Sequence, residues 1–131
     1  MATTDIFDLA AQRLAWLDRR QSVLARNVAN ADSPGFVPSD LAPFAARLAE
    51  ADRAGAAAGP SRTSPLHLGG TVIRVPDART ERPEARAPDG NAVALDEQLM
   101  KVAETETGHE LVTSLVGKYM GLFRLALGRA G

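Results

Sequence analysis

Positions 7, 10, 14, 17, 21, 24 and 28 step along the chain by threes and fours, and they read Phe7, Ala10, Leu14, Leu17, Gln21, Leu24 and Val28. Six of the seven are apolar, which is the seam of a helix packed along another helix. The pattern predicts a helix from about residue 4 to about residue 30. Arg13, Asp18, Arg19, Arg20 and Arg26 fall off the seam and are expected to face outward or toward neighbours. Thr3 or Thr4 is the expected N-cap, with Asp5 and Asp8 placed to meet the positive end of the helix dipole.

A second stripe of the same spacing follows the turn Pro88-Asp89-Gly90-Asn91. It opens with Leu95, Leu99 and Val102, and Asp96 supplies an early carboxylate. After Gly108 the apolar face widens to Leu111, Val112, Leu115, Val116, Tyr119, Met120, Leu122, Phe123 and Ala126. One partner helix covers only a narrow stripe, so this width predicts more than one packing neighbour. A continuous helix over 95–128 is about 50 Å long at roughly 1.5 Å per residue, more than a compact domain of this size spans. Two such helices imply an extended molecule or an assembly.

All eight prolines lie between Pro34 and Pro88. Proline lacks the amide donor and blocks helix interiors, so it divides the chain into three. Residues 1–36 form the first helix and its closing turn, 37–88 an irregular middle, and 89–131 the second long helix. Within the middle, Leu41 to Arg53 predicts a short helix through Leu41, Phe44, Ala45 and Leu48. Residues 54–65 read as a flexible linker. Gly69-Gly70 and then Thr71 to Val75 read as one short strand stopped by Pro76. Residues 77–88 alternate charge and proline, as a loop ordered by contact or a disordered one. The expected fold is mainly α: two long terminal helices paired as a coiled-coil-like hairpin, with a Pro-rich middle that has room for a short β-hairpin.

Composition narrows what such a molecule does. The chain has 131 residues, 45% of them apolar but many of those alanine, and only 5% aromatic. An independent core is therefore thin, and partners are expected to cover the apolar stripes. A net charge of −1, with charges scattered, offers neither a nucleic-acid footprint nor a polybasic membrane anchor. Cysteine is absent, which removes disulfides and thiolate metal sites. No run approaches the ~20 apolar residues that cross a bilayer. Met1-Ala2-Thr3-Thr4-Asp5 has neither a basic nor an apolar leader region, so no cleavable signal is expected.

Candidate chemistry is sparse. His67 and His109 are the only histidines, neither stands in a cluster of ligand spacing, and each reads as a packing or hydrogen-bonding residue. Glu104, Glu106 and Glu110 share a helix and read as a solvated or inter-subunit face rather than an acid–base pair. Ser33 and Ser114 have no adjacent base. Gly117 and Gly121 permit close helix approach or simply loosen the helix. No catalytic, cofactor or metal site is expected, and no small-molecule substrate.

The most informative string runs Leu24-Ala25-Arg26-Asn27-Val28-Ala29-Asn30-Ala31-Asp32-Ser33-Pro34-Gly35-Phe36. It describes a helix that ends in a specified turn. Asn30 and Asp32 tolerate left-handed backbone, Pro34 pushes Ser33 out of the helical region, and Pro34-Gly35 fits the centre of a type II turn. Phe36 then folds back as an apolar anchor. The string resembles the ANxxxPG(Y/F) signature of the bacterial flagellar axial proteins, the rod, hook and hook-associated subunits. Asn27, Asn30, Asp32, Ser33, Pro34, Gly35 and Phe36 carry that resemblance.

Two further strings point within that family. Arg62-Thr63-Ser64-Pro65-Leu66-His67-Leu68 resembles the T-x-x-x-H segment of the B-type proximal rod subunit, and Asp89-Gly90-Asn91-Ala92-Val93-Ala94-Leu95-Asp96 resembles its DGNxVxxD lead-in to the last helix. The Tyr-x-x-Asn element of the C-type subunit is missing, because Met120, Gly121 and Leu122 follow Tyr119. Gln98, His109 and Phe36 depart from the commoner acidic residue, Tyr and Tyr.

The resemblance implies a structural subunit of the proximal rod in the flagellar basal body, with paired terminal helices lining a tube. It implies export through the flagellar type III apparatus into the periplasmic rod. The implied partners are copies of itself, sibling rod subunits, the basal adaptor and the membrane-ring protein. Phe7, Leu14, Leu17, Leu24, Val28, Leu99, Val102, Leu115, Tyr119, Leu122 and Phe123 are the expected packing interface. Two other readings stay open from sequence: a C-type rod subunit, and a stand-alone helical adaptor or export chaperone.

Overall fold

A computed structural model describes residues 5–54, 77–83 and 85–128. The elements run α1 (Ile6–Ala29), β1 (Ser39–Leu41), α2 (Phe44–Ala54), β2 (Ala78–Thr80) and α3 (Leu95–Ala126). Helix α1 starts one step later than the expected caps: Asp5 is the N-cap, its carboxylate accepting from the Phe7 amide at 3.3 Å. Thr3 and Thr4 lie outside the described residues. Helix α2 begins at Phe44 rather than Leu41, because Pro43 forces the preceding residue into extended backbone and its own carbonyl accepts from Arg47. The predicted linker 54–65 and strand 71–75 lie outside the described residues but for Ala54, which ends α2.

The small sheet comes from elsewhere. Strands β1 and β2 pair antiparallel, Ser39 opposite Thr80, Asp40 opposite Arg79 and Leu41 opposite Ala78. The Glu81 amide extends the ladder to the Pro38 carbonyl at 2.9 Å. Part of the 77–88 segment, read from sequence as loop, is thus a strand.

Helices α1 and α3 form an antiparallel hairpin. The Phe7 ring lies 5.8 Å from that of Phe123, Leu17 faces Gly108, and Asn27 meets Gln98. Among the described residues the buried apolar side chains are Trp16, Leu17, Val23, Leu24 and Leu41, and Phe44 and Val112 pack on the cluster of Trp16, Leu17, Val23 and Leu41. Trp16 and Val23 lie off the three–four seam. They are buried because β1 and the start of α2 cover a second side of α1, where the Trp16 indole donates to the Ala42 carbonyl at 3.0 Å. The Arg13 guanidinium sits over the Trp16 and Phe44 rings at 4.6 and 5.0 Å.

Arg20 corrects the sequence reading most sharply. Expected to face outward or toward neighbours, it is instead mostly buried within the chain and ties three elements together. Its Nε and Nη2 donate to both Asp40 oxygens at 3.0 and 3.1 Å, and Nη1 donates to Glu104 at 3.2 Å. Burial pulls its pKa down, but the bond to and charge of Asp40, then Glu104, outweigh this and hold it above the ordinary value. Lys101 of α3 is raised in the same way, against its own burial, by Glu81 and Glu97, and Asp40 lies 3.7 Å away. Arg20→Ala leaves Asp40 without its fork and is expected to destabilise the fold by about 2–4 kcal/mol. Thermal melting followed by circular dichroism reads this, and Arg20→Lys should recover only part of the loss because an ammonium makes no bidentate contact.

Candidate functional site

The end of α1 is built by local side chains. Asn30 closes the helix with φ −105°, its amide bonding the Arg26 and Asn27 carbonyls and its side-chain nitrogen donating to Arg26 at 2.8 Å. The Ser33 amide returns to the Asn30 carbonyl at 3.0 Å, and the Ser33 hydroxyl donates to Asn30 Oδ1 at 3.0 Å. The Phe36 amide then bonds the Ser33 carbonyl at 3.3 Å across Pro34 and Gly35. Gly35 has φ +70°, the value that the third position of a type II turn requires. Among the described residues only glycines take positive φ, so neither Asn30 nor Asp32 uses the left-handed backbone open to it. Asp32 and Pro34 are exposed, and Phe36 is half-buried.

The string at Asp89–Asp96 docks on this turn, while that at Arg62–Leu68 lies outside the described residues. A bond of 2.8 Å from the Gly90 amide to the Ala87 carbonyl folds Pro88-Asp89 into its own turn, which places Asn91 against the first. Asn91 is buried, and its side-chain nitrogen donates to the Asn30 carbonyl at 3.0 Å and the Ser33 carbonyl at 2.6 Å. Its Oδ1 accepts from the Val93 amide at 2.8 Å. Backbone bonds complete the clasp: Gly35 N–H to Asp89 O at 3.1 Å, and Ala92 N–H to Phe36 O at 2.9 Å. The turns approach so closely that a Cβ on Gly90 would lie 3.4 Å from the Gly35 Cα. Sequence showed both strings; that they interlock is a property of the fold.

Asn91→Ala removes two donors from carbonyls that the fold has desolvated, at an expected cost of about 1–3 kcal/mol. Amide exchange at Gly35 and Ala92 should accelerate more than at mid-helix Leu17. Equal acceleration at all three would mean that Asn91 only adds general stability.

Asn27 performs a second junction. It is 1% exposed and pairs with Ser39 as a strand would, accepting from its amide at 3.1 Å and donating to its carbonyl at 2.7 Å. The same side-chain nitrogen donates to Gln98 Oε1 at 2.8 Å. One amide thus holds the departing chain against α1 and α1 against α3. Sequence reasoning placed Asn27 in the motif but did not find Gln98 as its companion. The available signal was a Gln at a position where the stripe around Leu95 and Leu99 would have tolerated an apolar residue.

The expected interface residues separate into two sets. Leu17 and Leu24 are buried in the hairpin, and Phe7, Leu14, Val28 and Val102 are half-buried. Leu99, Leu115, Tyr119, Leu122 and Phe123 are all exposed on α3. Leu111, Met120, Leu125 and Leu127 join them, so the second half of α3 presents hydrocarbon on several sides. An open groove of about 330 Å³ runs between the helices, walled by Phe7, Ala10, Phe44, Val112, Val116 and Tyr119. Glu104, Glu106 and Glu110 are exposed on α3, where Glu104 meets Arg20 and Glu106 lies 3.5 Å from the Gln21 amide. His109 faces Asp18 at 3.4 Å. Among the described residues no three metal-ligating groups converge, and no helix is long and apolar enough to cross a membrane.

No protein-family model matches the chain. Curated relatives do match, and each bears the name flagellar basal body rod protein FlgB. The protein of Agrobacterium fabrum is 32% identical over 133 residues, covering 98% of this chain and 97% of the relative. That of Yersinia enterocolitica is 31% identical over 111 residues, 79% of this chain and 80% of the relative. The Escherichia coli K12 protein is 29% identical over 114 residues, 82% of both chains.

Proposed function

The chain belongs to the FlgB family of flagellar basal body rod proteins, and from that premise we propose how it serves as a structural subunit of the rod. Copies of the subunit and sibling rod subunits pack their long helices together into a stiff tube. The tube transmits torque and conducts exported subunits through its bore. At its base it meets the basal adaptor and the membrane-ring protein, and above it the C-type rod subunit. The subunit reaches the periplasm through the type III export apparatus. The turn at Asn30 to Phe36, clasped by Asp89 to Ala92, ends α1 and directs the middle segment to the side of the hairpin that faces the outside of the tube.

One observation carries this reading: α3 leaves Leu111, Leu115, Leu122, Phe123 and Leu125 exposed beside a hairpin whose own buried core is small. A free monomer gains nothing from that hydrocarbon, whereas neighbours that cover it gain about 25 cal/mol per Å² of apolar surface. The test is a bacterium deleted for its own FlgB and supplied with this chain. Restored swimming and intact rods in electron micrographs of basal bodies are expected. A chain that accumulates in the cytoplasm while basal bodies lack rods would refute the reading.

A further inference from the structure

Helix α3 carries apolar residues on nearly every side, yet over its first half the side turned to α1 is among the least apolar. Gln98 and Thr105 are its buried residues, and Gly108 of the same helix faces Leu17. In the same stretch Leu99 is half exposed and Met100 is 74% exposed. Hydrophobic burial is non-directional, and on its own would favour rolling α3 to bring Leu99 inward. Something else selects the face.

Two features do so. The Gln98 Oε1 accepts from Asn27 Nδ2 at 2.8 Å, with both residues 1% exposed. Another face or register takes the Gln98 acceptor away and leaves the buried Asn27 amide, whose other bonds go to Ser39, with one N–H unpaired, a penalty that apolar contacts do not impose. Gly108 supplies shape: a Cβ built there would lie 3.2 Å from Leu17 Cδ2, so Leu17 fits against the bare backbone of this one turn. Thr105 is neutral in the choice, since its hydroxyl is satisfied within α3 by the Lys101 carbonyl at 2.7 Å.

We propose that the buried Asn27–Gln98 amide pair, with Gly108 seated on Leu17, selects which face of α3 closes the hairpin and so reserves the leucine-rich faces for other subunits. That the reserved faces meet other subunits rests on the rod reading; the selection itself does not. Polar and small residues choose the internal partner, and apolar residues are left to bind external ones. A hairpin closed on its leucines would be a satisfied monomer with little left for assembly.

The chain has no cysteine, so an engineered pair reports register without background. Asp18→Cys with His109→Cys places thiols across the hairpin where the native side chains approach to 3.4 Å. A short bis-maleimide applied to the purified full chain should then give mainly intrachain product. Adding Gln98→Leu should lower that yield severalfold and raise interchain dimers, while far-UV circular dichroism shows undiminished helix. Gln98→Glu keeps the acceptor and should retain the intrachain yield. Gly108→Leu should behave as Gln98→Leu does. The proposal is overturned if Gln98→Leu cross-links as the parent does, or if it loses its helices outright, because the pair would then sustain folding rather than choose a face. Rods are not needed for this measurement, so failed complementation by the wild-type chain removes the rod reading alone.

Discussion

Leu24→Asp is expected to abolish rod assembly while leaving expression intact. Leu24 is 0% exposed in the C-terminal half of α1. A carboxylate there has no counter-charge waiting, since Arg20 is bonded to Asp40 and Glu104, and Lys101 to Glu81 and Glu97. An unpaired buried charge costs about 3–5 kcal/mol, and loss of the leucine adds to it. Against so small a core the hairpin does not survive that penalty. Arg19→Ala, on an exposed part of the same helix, should swim as the parent does. Immunoblots, motility plates and micrographs of basal bodies check the pair. Equal swimming by the two variants would show that the buried side of α1 has been misplaced.

Gly35→Val is expected to stop rod completion by a different route. At φ +70° a β-branched residue is strained, and nothing lies within 4 Å of a Cβ built there, so the cost is conformational rather than a clash. That cost is about 1–3 kcal/mol per subunit, and it recurs in every copy of the tube. Relaxing the turn also shifts the Gly35 amide off Asp89 and the Phe36 carbonyl off Ala92, which opens the clasp between the two motif strings. Gly35→Asn should be milder, because asparagine tolerates left-handed backbone better than other L residues. Gly59→Val, in the stretch read from sequence as linker, should be nearly silent. Normal rods in Gly35→Val, or loss of rods in Gly59→Val alone, would reverse the assignment of turn and linker.

Local pattern was enough for everything that repeats within a few residues. The proline-free flanks and the three–four spacing determine α1 and α3, and Pro34-Gly35 determines a turn with positive φ, because helix periodicity and backbone sterics act between neighbours in the chain. The strings around Asn30 and Asp89 were visible for the same reason. Tertiary structure decided what joins distant parts. Strands β1 and β2 are three residues each, too short for a pattern, and exist because the fold brings Ser39–Leu41 and Ala78–Thr80 side by side so that their backbones pair. Arg20 points inward because Asp40 and Glu104 converge on it from two other elements, a fact that no spacing along α1 contains. Likewise Leu99 and Gln98 are adjacent on one helix, and sequence ranks the leucine as the buried one. Asn27 reverses that order, since a buried amide must find its partner while a leucine is content with any apolar neighbour.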